Sequence, residues 1–185
     1  MNEIEKVLIE SKSFQAIETI LLEDRLIKLQ AVDVLAMLYR KAAIVSYDTG
    51  MGKTYLAAAV IRMLLNQDNS RKIIMVIKKK QLTATPAKVK KNVGVEILAT
   101  ASDQESVKKN ILSGKFLQYP VLMITHECLN NNIVMRKLLE HRDLYSCIII
   151  DEAHNLNNLA GASSANMLQG MCSGFEYRFA LTATP

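Results

Sequence analysis

Apolar positions along this chain follow two different rhythms. Over residues 2–41 they recur at helical spacing, with Val7, Leu8, Phe14, Ile17, Leu21 and Leu22 on one stripe. The same rhythm continues from 26 to 39 without Gly or Pro. From residue 42 the pattern changes. Short apolar runs at 42–46, 73–77, 95–98, 121–125, 147–151 and 177–181 are separated by helically spaced stretches near 53–66, 81–91, 102–112, 127–140 and 162–171. These runs do not alternate apolar with polar residues. Strands of that kind are buried on both faces, as in a parallel sheet covered by helices. The pattern therefore predicts a doubly wound α/β domain over 26–185, with a mostly parallel central sheet and helices on both faces, preceded by a helical extension over 1–25. Ligands of such sheets bind at the carboxyl ends of the strands.

Composition narrows this only a little. The 185 residues suit one well-buried domain better than two, and 50% apolar with 22% charged residues is ordinary for a globular protein. No apolar run approaches the roughly 18 residues that would span a bilayer, so no membrane partner is expected. The acidic N-terminus lacks the basic-then-apolar order of a secretory signal, and the expected location is cytoplasmic, or associated with a nucleoid or nucleus. Cys128, Cys147 and Cys172 are odd in number and partly embedded in apolar runs, which reads as reduced core thiols. The nine methionines are scattered and read as core filler.

Charge is unevenly spread. No acidic residue lies between Asp68 and Glu96, whereas Arg71, Lys72, Lys78, Lys79, Lys80, Lys88, Lys90 and Lys91 all do. This run is either a solvated face or a surface for phosphate backbones, and the sequence leaves both open. No aromatic residue interleaves with it, so base stacking is not indicated there. The pentapeptide Leu-Thr-Ala-Thr-Pro occurs twice, at 82–86 and 181–185, with unlike flanks, and marks no structural repeat.

The chemistry concentrates in two places. Asp48, Thr49, Gly50, Met51, Gly52, Lys53 and Thr54 lie where an apolar run gives way to a helix. A strand, a glycine-bearing loop and a helix N-terminus together wrap a polyphosphate with inward-pointing N–H groups. Gly50 and Gly52 permit the tight backbone, Lys53 is placed to reach the β- and γ-phosphates, and Thr54 offers its hydroxyl to Mg²⁺. The strict pattern has a further glycine where Tyr47 stands. The second place is Asp151-Glu152-Ala153-His154, at the end of the apolar run 147–150. Taken alone, Asp151 could simply cap the next segment. Paired with the loop upstream, Asp151 is expected to hold Mg²⁺, and Glu152 to orient and deprotonate the water attacking the γ-phosphate.

The loop at 48–54, the Asp-Glu-Ala-His at 151–154 and the Leu-Thr-Ala-Thr-Pro at 181–185, in that order, resemble motifs I, II and III of superfamily-two helicases. Within that superfamily they look closest to the SWI/SNF-type translocases on double-stranded DNA, because His154 leads into Asn155-Leu156-Asn157-Asn158. The resemblance covers most of 26–185. It implies a RecA-like P-loop NTPase lobe that uses ATP and Mg²⁺, with double-stranded DNA as partner. By position it further implies that Gln30 reads the adenine edge, although Gln30 also fits a plain surface-facing helical residue. Val76 to Gln81 falls where motif Ia lies, with Lys78, Lys79 and Lys80 where a proline-containing segment is common, and Ile124-Thr125-His126-Glu127 falls where motif Ib lies; both motifs touch the nucleic-acid backbone in the family. His154 would couple the nucleotide site to motif III through Thr182 and Thr184. His126 and His141 have no metal-ligand spacing and are given no catalytic role.

The resemblance also implies a second RecA-like lobe, absent from this chain, that carries an arginine finger; such fingers contribute on the order of 10³–10⁵ in rate. This lobe alone is thus expected to bind ATP weakly and hydrolyse it poorly. Two other readings stay open: an RNA helicase lobe, and a non-hydrolysing module that keeps the nucleotide fold for partner contact.

Overall fold

The computed structural model describes residues 26, 28–158 and 161–183. The helical extension expected over 1–25 lies outside the described residues. Six strands, β1 (Ala42–Ser46), β2 (Lys72–Ile77), β3 (Ile97–Thr100), β4 (Val121–Thr125), β5 (Tyr145–Asp151) and β6 (Tyr177–Thr182), form one sheet in the order β1-β6-β5-β2-β4-β3. Every pairing is parallel, so the sheet is wholly rather than mostly parallel. The helices are α1 (Lys28–Arg40), α2 (Lys53–Gln67), α3 (Thr85–Val93), the single turn α4 (Gln104–Ser106), α5 (Asn132–Glu140) and α6 (Gly161–Ser173).

Strand periodicity sorts the apolar side chains onto two faces. Ile73, Met75 and Ile77 of β2, with Ile149 of β5 and Phe179 of β6, pack against Val34 of α1, Leu56, Val60 and Leu64 of α2, and Val89 of α3. The alternate residues Ile74, Val76, Ile124, Ile148 and Ile150 pack against Val134 and Leu138 of α5 and Leu168 and Met171 of α6. All residues of β4 are buried, as are most of β2 and β5. The edge strand β1 departs from this. Its residues alternate between exposed and half-buried, and Ile44 is 75% exposed, because among the described residues the second face is uncovered beside β1.

Element boundaries moved where turn chemistry intervened. The helix expected from 81 begins only at Thr85, with Pro86 in its first turn, where a missing N–H costs nothing. Residues Lys79–Gln81 form a separate 3₁₀ turn. The stretch 127–140 is split by Asn131, whose side chain accepts from the N–H groups of Ile133 and Val134 and so caps α5. After α4 the chain widens into a π-helical turn, Val107–Leu112. The three cysteines are free thiols, with Cys128 and Cys147 buried. Among the described residues, no helix is long and apolar enough to cross a membrane.

Phe116 is fully buried, and its ring meets His141 edge-on at 5.7 Å. Phe116→Ala is expected to destabilise the domain by about 3–5 kcal/mol, read as a lower urea midpoint with an unchanged slope.

Candidate functional site

Because β6 lies between β1 and β5, the carboxyl ends of these three strands bring distant sequence together. Ser46 pairs with Thr182, and Leu181 pairs with Asp151. Tyr47 N–H then donates to the Thr182 carbonyl at 3.0 Å, closing β1 onto β6 just before the loop. A pocket of ≈ 230 Å³ opens at this edge, lined by Thr49, Gly50, Gly52, Lys53, Thr54, Tyr55, Gln81, Lys88, Asp151 and Glu152. Sequence reasoning assigned all of these except Tyr55, Gln81 and Lys88. Asp48 and Met51 shape the loop through a turn in which Met51 N–H donates to the Asp48 carbonyl.

Gly50 and Gly52 have φ of 88° and 81°, in the region that favours glycine. A Cβ on Gly52 would also stand 3.1 Å from Gln30 Nε2. Helix α2 starts at Lys53 with no side-chain cap, so an anion is the natural partner for its leading N–H groups. Lys53 is buried, and its Nζ donates to the carbonyls of Tyr47 (2.8 Å) and Asp48 (3.3 Å). The ammonium is thus held inside its own loop.

Helix α1 supports this loop from behind. Gln30 is buried and its Nε2 donates to the Met51 carbonyl, which excludes the surface-facing alternative. The hydroxyl of Tyr47, the residue standing where a glycine is usual, donates to the Asp33 carboxylate. Burial, and then this bond, push the phenol pKa upward, so Tyr47 stays a donor.

Asp151 is 2% exposed. Burial first, and the neighbouring Glu152 charge second, push its pKa up, against the opposing pull of Lys53. Glu152 sits at φ 53°, a costly conformation for a residue with a Cβ. Several bonds hold the turn. Glu152 N–H donates to Asp151 Oδ1 at 3.0 Å, and the Glu152 carbonyl accepts from Asn155 Nδ2 at 2.7 Å. His154 Nδ1 lies 3.5 Å from Glu152 Oε2 and 3.2 Å from the Thr182 hydroxyl. The structure therefore brings His154, Glu152 and Thr182 into one cluster. Thr184 lies outside the described residues.

A hard divalent cation fits this donor set. Thr54 and Asp151 offer oxygen only, and a buried carboxylate pushed toward protonation is relieved by a cation beside it. Among the described residues no group of three or more His, Cys, Asp or Glu side chains is placed to hold a metal. Mg²⁺ takes one or two protein ligands and completes its shell with waters and phosphate oxygens.

A second pocket, of ≈ 370 Å³, lies beside the first at the ends of β2, β4 and β5. Lys78, Lys79 and Lys80 line it with His126, Glu127, Asn130 and Asn155. Thr125 is not on its wall. That side chain is fully buried, its hydroxyl 3.6 Å from Cys128 Sγ, so it offers no surface for a nucleic acid. The half-buried His126 lines the pocket instead. It lies in the stretch assigned to motif Ib, but its contact with Asp151 is made by tertiary approach alone.

A wholly parallel six-stranded sheet with a glycine-lysine-threonine loop after β1 and an Asp-Glu pair at the end of β5 defines a RecA-like nucleotide-binding lobe. The chain belongs to the ResIII family (type III restriction enzyme, res subunit), the helicase ATP-binding domain, with the match covering residues 9–185. No curated protein sequence matches it. The Sulfolobus solfataricus SWI2/SNF2 ATPase core in complex with dsDNA is similar in fold, with TM-score 0.66 and 20% identity over 85% of this chain and 31% of that one. The UvsW helicase from bacteriophage T4 has TM-score 0.63 and 17% identity over 84% of this chain and 51% of that one. The DUF1998 helicase MrfA has TM-score 0.64 and 16% identity over 92% of this chain and 29% of that one. This chain thus spans from under a third to about half of the matched proteins.

Gly52→Ala combines a left-handed φ with the close Gln30 contact, a strain of order 1–3 kcal/mol. Titration with a fluorescent ATP analogue should show roughly tenfold weaker binding. An unchanged affinity would remove the loop from the nucleotide site.

Proposed function

We propose that this chain is the first motor lobe of an ATP-dependent translocase or helicase of the SWI/SNF-like or restriction-translocase kind, acting on double-stranded DNA. The carrying observation is the pocket in which Asp151 and Glu152 share walls with Lys53 and Thr54. Family membership supports a nucleotide-driven enzyme, and the SWI2/SNF2 core bound to dsDNA supports the choice of nucleic acid.

Each side chain has a job in this reading. Lys53 leaves the carbonyls of Tyr47 and Asp48 to meet the β- and γ-phosphates of ATP. Thr54 and Asp151 would hold Mg²⁺, which when bound would supply charge neutralisation at the phosphates. Glu152 accepts the proton of the attacking water while His154 fixes its carboxylate and ties it to Thr182. Lys78, Lys79 and Lys80 meet the phosphate backbone of DNA. A second RecA-like lobe faces the pocket and adds an arginine to the transferring phosphoryl group. The protein works inside the cell, in the cytoplasm or on the nucleoid or nucleus.

Two measurements test this. In a protein carrying both lobes, Glu152→Gln should retain ATP binding and lose about 10²–10⁴ in turnover; equal activity would defeat the role given to Glu152. Replacing Lys78, Lys79 and Lys80 together by Ala should weaken duplex binding and flatten its dependence on log salt by about one unit per lysine. An unchanged slope would return these lysines to a merely solvated face.

A further inference from the structure

The lysine-lined pocket and the nucleotide pocket are joined by two short mechanical links, and both end on Asp151. The first is Gln81. Its Oε1 accepts from the Lys78 backbone N–H at 3.0 Å, and its Nε2 donates to Asp151 Oδ2 at 3.4 Å. The amide therefore holds the lysine turn with one end and the cation-binding carboxylate with the other. The second is His126, which lines the lysine pocket and reaches the Asp151 carbonyl through Nε2 at 2.7 Å. A carbonyl only accepts, so Nε2 carries the proton. Nδ1 is buried and has no hydrogen-bond partner among the described residues. Asn155 closes the arrangement, since it lines the lysine pocket while its Nδ2 holds the Glu152 carbonyl.

We propose that Gln81 and His126 are positioning residues that transmit occupancy of the lysine pocket by a DNA phosphate backbone to the Asp151–Glu152 turn. This rests on the reading of that pocket as a DNA surface. A phosphate drawn to Lys78, Lys79 and Lys80 shifts a turn whose backbone is bonded to Gln81, and the amide passes that shift to Asp151 Oδ2. His126 fixes the peptide between Asp151 and Glu152 from the same pocket. The carboxylate that holds the cation and the one that faces the water are therefore set together when DNA is bound. Two sites coupled this way must influence each other's affinity by the same factor.

The test measures that factor. The affinity of the full chain for a fluorescent, non-hydrolysable ATP analogue with Mg²⁺ is titrated without and with a saturating short DNA duplex. DNA should tighten nucleotide binding in the wild type by roughly 5–150-fold. His126→Phe and Gln81→Leu should each bring the factor to near unity, read as the ratio of the two nucleotide affinities whatever either variant does to binding of one ligand alone. His126→Gln keeps an N–H donor and should restore much of the coupling. Gln81 lies on a half-exposed turn, so Gln81→Leu remains informative should the His126 variants fold poorly. Variants that keep the wild-type factor, or a wild type that binds both ligands without coupling, would overturn the proposal. A wild type that does not bind the duplex would overturn the DNA reading itself, and the coupling with it.

Discussion

A strand buried on both faces can present charge only at its ends. β5 is the clearest case here: Cys147 to Ile150 are enclosed between two layers of helices, and the first charged side chains after them are Asp151 and Glu152. Leaving a carboxylate buried without partners costs several kcal/mol, far more than one surface hydrogen bond returns. The chain meets this cost by surrounding Asp151 with the Glu152 N–H, the Gln81 amide and the nearby Lys53. A cation at Thr54 and Asp151 would lower it further. Much of the site's arrangement follows from the need to hold that one charge at the mouth of an apolar sheet.

Strand order then decides what this charge can talk to. With β6 and β1 on one side of β5 and β2 and β4 on the other, the end of β5 is shared between two pockets. Phosphate chemistry gathers on the β1 side, and the lysines gather on the β2 side. Asp151 lines the nucleotide pocket, and the lysine pocket reaches it through His126. The acid-free stretch after Asp68 is accordingly read by topology as much as by charge, because β2 and its turn deliver Lys78 to Lys80 directly beside the carboxylate end of β5.

Sequence made the scaffold legible because the sheet's physics is local and periodic. Unbroken apolar runs announced strands buried on both faces, and Gly50, Gly52 and Lys53 announced a phosphate loop with no tertiary information. The misreadings have equally specific causes. Thr125 looked available beside motif Ib, but the strand's last residue turns inward toward Cys128. The contact of His126 with the Asp151 carbonyl was not legible, because its partner lies 25 residues away and belongs to no side-chain pattern. Gln81 and Lys88 lay in a stretch read for nucleic acid and not for the nucleotide, and the helix there starts at Thr85, which leaves Gln81 on a separate 3₁₀ turn. Ile44 was expected to be buried; an edge strand with one uncovered face carries the same apolar letters as a central one.

Tyr47 shows why a departure from a pattern need not be a defect. A glycine at that position serves close backbone approach and nothing else. The tyrosine keeps the backbone role, since its N–H and carbonyl bond Thr182 and Lys53, and it adds a hydroxyl that fastens the strand end to Asp33 on α1. Gln30, one turn earlier on the same helix, fastens the loop itself at Met51. Both anchors sit on α1, so a movement of this helix would be felt by the carbonyls that now hold the Lys53 ammonium. Those bonds are only two carbonyl contacts on a buried cation, and a polyphosphate offers stronger, charge-assisted ones. The loop is therefore held in shape by α1 while its lysine stays exchangeable, which is the combination a site needs if it must bind and release a nucleotide on every cycle.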